Sequence, residues 1–99
     1  HVHTAFVLTG IGESELALGN VADATARLSR ALEIWEGQDS AEPVEVGNCR
    51  FALARATYPT DPVEGLALAR AAQTEIVAQG AGFETDLERV EAWIDEHRD

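Results

Sequence analysis

The stretch Gly19-Asn20-Val21-Ala22-Asp23-Ala24-Thr25-Ala26-Arg27-Leu28-Ser29-Arg30-Ala31-Leu32-Glu33-Ile34-Trp35-Glu36-Gly37 reads as one helix bounded at both ends. Its apolar or small positions Val21, Ala24, Leu28, Ala31, Leu32 and Trp35 advance by three and four residues, so all six fall on one helical stripe. Gly19-Asn20 is a helix stop followed by an N-cap residue, and Gly37 supplies the next stop. Asp23 stands in the first turn, where negative charge suits the positive end of the helix dipole. Upstream, Thr4 to Leu18 contains no proline and runs into that first stop. Two helices joined by a two-residue turn have to lie antiparallel, as a hairpin.

Downstream the punctuation repeats. Residues 38–43 (Gln-Asp-Ser-Ala-Glu-Pro) read as a polar linker, with Pro43 suited to the first turn of a third helix that ends at Tyr58 before Pro59. Pro59-Thr60-Asp61-Pro62 is a turn in which Asp61 caps a fourth helix and Pro62 is its first residue. That helix runs to about Gln79 and stops at Gly80. A fifth starts between Phe83 and Thr85, with Phe83, Leu87, Val90 and Ile94 in steps of four, three and four. No period-two alternation of useful length occurs, so no sheet is expected. The expected fold is all-α, with hairpins at 4–37 and 43–80 and a terminal helix at 83–98.

Composition agrees with that reading and narrows the function. The chain has 99 residues, of which 17 are Ala, the best intrinsic helix former. One domain with one modest core is what such a length supports. Seven Lys+Arg against 18 Asp+Glu give a formal net charge of −11. A surface that acidic repels phosphate backbones and anionic lipid, which argues against nucleic-acid and membrane partners. One cysteine precludes an intrachain disulfide framework, and no signal-peptide pattern or membrane span is visible. A cytoplasmic domain is the expectation. The absence of Met suggests a piece of a longer protein.

Gly12 to Ala52 is 40 residues and Ala31 to Ala72 is 41. Ala24, Leu28 and Ala31 of the second helix recur as Gly65, Ala69 and Ala72 of the fourth, while Leu8, Ile11 and Gly12 find a counterpart in Phe51 and Ala52. A repeat of this length in a helix-turn-helix chain means stacked hairpins. On Leu8, Ile11-Gly12, Leu16-Ala17-Leu18-Gly19-Asn20, Ala24, Leu28 and Ala31, the chain resembles the tetratricopeptide repeat family. The spacing near 40 is similar to variant repeats in C-terminal regions of bacterial serine/threonine kinases. The resemblance is best over the first 36 residues. Glu15 stands where the family often has tyrosine, Glu36 where proline is usual.

The resemblance implies a right-handed superhelix of two hairpins plus a capping helix. It also implies a non-enzymatic protein–protein interaction module, with the first helix of each hairpin lining a peptide groove. Carried over by position, Thr9, Glu13, Arg50 and Leu53 line it, against the plainer reading of exposed Glu and Arg as solvated surface. Glu13 disfavours an acidic tail, so a basic or apolar segment is the expected partner. The alternative is a structural module that self-associates: two and a half repeats are few for stability, and Phe6, Val7 or Leu8 offers a face to a second copy or an upstream repeat.

Little chemistry competes with this. Cys49 has neither a nearby His nor a second Cys and reads as a buried inert thiol. His97, beside Glu96 and Asp99, reads as surface decoration. Trp35 and Trp93 fall on apolar stripes and read as packing, Trp93 less firmly placed than Trp35. His1-Val2-His3 would suit a square-planar Cu(II) or Ni(II) site only at a free amino terminus, so no metal or cofactor is expected. No phosphate loop, zinc spacing or Ser-His-Asp set is visible, and no enzyme is expected.

Overall fold

A computed structural model of the chain describes residues 2–37, 43–80 and 82–98. The 38–42 linker and His1 lie outside them. Five helices follow in order: α1 (Val2–Ala17), α2 (Val21–Glu36), α3 (Pro43–Thr57), α4 (Pro62–Val77) and α5 (Glu84–His97). Among the described residues there is no strand. Each helix lies against its neighbour in sequence, and α1 also touches α3.

The turns form for the reasons the residues give. Gly19 adopts φ +85°, which only glycine takes without strain. The Asn20 N–H then reaches the Glu15 carbonyl at 2.8 Å and the Gly19 N–H the Leu16 carbonyl at 3.1 Å, the paired bonds that close a helix on a left-handed residue. Asp61 Oδ1 accepts the Glu64 N–H at 3.1 Å, with Pro62 beginning α4 as expected. The fifth helix is capped at Phe83, and the Glu84 carboxylate accepts the Gly82 N–H at 2.9 Å.

Within both hairpins the backbones approach through small residues. A Cβ added at Gly12 would lie 2.6 Å from Leu28 Cγ, and one at Gly65 would lie 2.8 Å from the Tyr58 Cα. Buried residues of α2 (Ala24, Leu28, Ala31, Trp35) and of α4 (Gly65, Ala69, Ala72, Ile76) match at a constant step of 41. The first helices match differently from the sequence expectation. Ala52 belongs to the core cluster that holds Leu32 and Trp35, whereas Ala54 belongs to the one that holds Ala69 and Ala72, so the counterpart of Gly12 is Ala54. Gly47, against Ile76, likewise corresponds to Ala5, which packs with Trp35. The α1-to-α3 step is therefore 42 rather than 40.

Helix α3 is the middle layer. Cys49, Ala52, Leu53 and Ala56 face the α1–α2 side, and Phe51 and Ala54 face α4 and α5. It is buried on two sides, which explains why no single apolar stripe marks it in the sequence. Among the described residues no helix is long and apolar enough to cross a membrane.

Candidate functional site

The first helices of the two hairpins and the terminal helix share one concave side. Two adjoining cavities run along it. The first, of about 200 Å³, is lined by Phe6, Thr9, Gly10 and Glu13 of α1, Glu45, Asn48 and Phe51 of α3, and Arg89 of α5. The second, of about 320 Å³, continues from Phe51 and Arg89 to Arg55, Ala92, Trp93 and Glu96. Phe51 is the divide and the floor. The Arg55 guanidinium stands 4.8 Å from its ring centroid and the Arg89 guanidinium 5.7 Å, both in cation–π range.

Charge in the cleft is mixed. Arg55 pairs with Glu13 at 3.7 Å, linking α3 to α1. Burial disfavours the Arg55 cation and lowers its pKa, with Glu13 opposing that effect. Its Nε is buried without a hydrogen-bond acceptor. Arg89 makes no ion pair among the described residues. Glu45 and Glu96 stand at the two ends.

Thr9 and Glu13 are thus both in the cleft. The Thr9 hydroxyl donates to the Ala5 carbonyl at 2.8 Å and accepts the Trp35 Nε1–H at 3.3 Å, so it is tied to α2 as well. Arg50 and Leu53 are elsewhere. Arg50 donates to Glu75 at 2.7 Å and 3.3 Å and to Glu36 at 2.9 Å, bridging α2, α3 and α4. The hydrogen bond to Glu75 is the main cause of its raised pKa. Leu53 is a core residue, 8% exposed. The misplacement is a slip of register: Arg50 is one residue and Leu53 two residues short of the matching positions, and a helix turns by about 100° per residue. With the step of 42, Thr9 and Glu13 correspond to Phe51 and Arg55, which do line the cleft. Sequence reading missed Asn48, Phe51, Arg55 and Arg89 as cleft residues. The corrected step would have found Arg55, but nothing local marks Arg89, because its place depends on α5 folding back against α4.

Phe6, Val7 and Leu8 do not form one face, since consecutive helical residues point about 100° apart. Phe6 packs edge-on against Trp35 with centroids 4.8 Å apart, Val7 points outward, and Leu8 packs against the core. Trp93 is half-buried, edge-on to Phe51 and Tyr58 at 5.9 Å and 5.4 Å.

His97 is not surface decoration. It stacks on Trp93 at 4.2 Å, its Nδ1–H donates to the Trp93 carbonyl at 2.7 Å, and its own carbonyl accepts the Tyr58 hydroxyl at 3.0 Å. Cys49 is buried, with its thiol 3.6 Å from the Leu28 carbonyl and its pKa pushed up by burial to about 11. Among the described residues no three His, Cys, Asp or Glu side chains are placed to hold a metal ion. No protein-family model matches the chain, and no curated protein or solved structure matches it either.

Proposed function

We propose that the chain is a non-enzymatic, tetratricopeptide-like interaction module that seats an extended segment of a partner protein in the cleft between α1, α3 and α5. One observation carries this reading: a preformed cleft, lined from three helices, with an aromatic floor at Phe51 and charged groups at fixed heights around it. Side chains held on packed helices lose little freedom on binding, which is what makes a shallow groove effective.

The segment that fits places an apolar side chain on Phe51 and Trp93 and a basic one near Glu45 or Glu96. An acidic tail would approach a chain of net charge −11 and pass those carboxylates, so its encounter is slowed and its affinity lowered. An adaptor role in signalling is the setting this suggests. Selection of a random peptide display library on the protein tests the reading. Enriched peptides should pair an aromatic or aliphatic residue with Arg or Lys, and their affinity should fall at least tenfold in Glu13→Arg or Glu96→Arg but not in Arg30→Glu on α2. No enrichment, or binding indifferent to both cleft variants, overturns it.

A further inference from the structure

In a chain with 18 carboxylates, most cations find a partner. Arg27 pairs with Glu15 at 2.7 Å, Arg50 with Glu75 at 2.7 Å and Arg98 with Asp95 at 3.3 Å. Two arginines of the cleft do not fit this pattern. Arg55 meets Glu13 only at 3.7 Å, beyond hydrogen-bond length, and its buried Nε has no acceptor. Arg30 has an equally long contact with Glu33, but its side chain is open to water and that of Arg55 is not. Arg89, exposed on α5, makes no ion pair among the described residues. Arg70 also makes none, but the cavity it lines holds Glu91 and Asp95.

Geometry brings these two together. Their guanidiniums converge on the Phe51 ring from different helices, at 4.8 Å and 5.7 Å from its centroid, and both line the cavity of about 320 Å³. A ring face attracts a cation, but it accepts none of the in-plane N–H bonds that a guanidinium offers. The two are also like charges held near one another. Burial first, and Arg89 in smaller part, disfavour the Arg55 cation, against the opposing pull of Glu13. Positive charge and N–H donors are thus gathered here in excess of the acceptors within reach.

We propose that Arg55 and Arg89 together take one carboxylate, the side chain of a single Asp or Glu in the segment that the cleft seats. The inference rests on the cleft being the binding site and adds what the segment must carry. A carboxylate is planar and accepts through two oxygens, which suits two guanidiniums reaching it from different helices. Bound there, it offsets the like charges over Phe51 and supplies acceptors to donors that lack them. Glu13, Glu45 and Glu96 border the same cleft and repel further negative charge, so a run of acidic residues is disfavoured and one is not. A phosphate group would bring added negative charge toward the same carboxylates. The residues flanking the single acid are therefore basic or apolar, as the rest of the cleft requires.

Selection of a random peptide display library on the protein, followed by a double-mutant cycle, is the test. Enriched peptides should carry one Asp or Glu at a constant spacing from their aromatic or aliphatic residue. Changing that acid to Asn or Gln should lower affinity at least tenfold for the native protein but at most threefold for Arg89→Gln. Arg89 is exposed, so this variant should keep its helical circular dichroism. The Arg55 Nε–H resonance should move with the acidic peptide and stay in place with its amide counterpart. Peptides that Glu13→Arg weakens but that carry no fixed acid, an acid indifferent to Arg89→Gln, or an unmoved Arg55 resonance would each overturn the proposal and leave the cleft as the binding site. If no enriched peptide depends on Glu13, the cleft reading falls and this inference with it.

Discussion

Gly10 and Gly65 are both helical glycines, yet the surroundings give them opposite roles. At Gly65 an added Cβ meets the Tyr58 backbone at 2.8–3.0 Å, and backbone cannot swing aside as a side-chain end can. Gly65→Ala should destabilise the protein by about 1–3 kcal/mol in thermal or urea unfolding, because the α3–α4 hairpin has to open to admit it. Gly10→Ala should instead raise stability by up to ~1 kcal/mol, since the position is open and Ala is the better helix former. Equal effects from the two would refute the packing described. Cys49 offers a pH test. Its folded pKa is raised to about 11 from 9.0, so the folded state holds the thiol proton more tightly than the unfolded chain. This contribution is fully present below pH 9 and is lost as pH rises toward 11, by up to about 2–3 kcal/mol. Comparison with Cys49→Ala isolates it: the stability gap between the two should narrow across that window, and a constant gap would contradict the burial.

Elements differ in how openly the sequence declares them. The α2 stripe and the Asp61-Pro62 start of α4 were legible because one side of each helix is apolar and one residue caps it. Asp61→Ala should cost about 1 kcal/mol through loss of the bond to the Glu64 N–H, measurable by urea unfolding. Helix α3 was legible as a helix but not in its rotation. Buried by α2 on one side and by α4 and α5 on the other, it shows apolar residues at every register, so a two-residue slip still finds a plausible partner for Gly12. Slips of one and two residues placed Arg50 and Leu53 in the groove instead of Phe51 and Arg55. Arg50 is better understood as a clamp between α2 and α4, only partly exposed. Arg50→Ala should lower stability by about 1–2 kcal/mol while leaving peptide binding in the cleft unchanged. A loss of affinity without loss of stability would return Arg50 to the binding site.

The Cα radius of gyration is 12.6 Å, close to the ~13 Å of a close-packed chain of about 100 residues, so the hairpins stack tightly instead of opening into an extended coil. Stacking brings α1, α3 and α5 to one side, and this is why the cleft could not be read from any one stretch of sequence: its Phe51, Arg55 and Arg89 become neighbours only after three helices have packed. Net charge of −11 also predicts that a basic peptide binds less tightly as salt rises, while an apolar one does not. The decisive measurement is an amide-resolved NMR titration of the protein with a peptide selected on it. Shifts confined to the neighbourhood of Glu13, Asn48, Phe51, Arg55 and Arg89 are the result this structure predicts. Shifts centred instead on α2 and α4, around Arg27, Arg30 and Arg70, would show that the partner binds the opposite side and that the cleft is not the site.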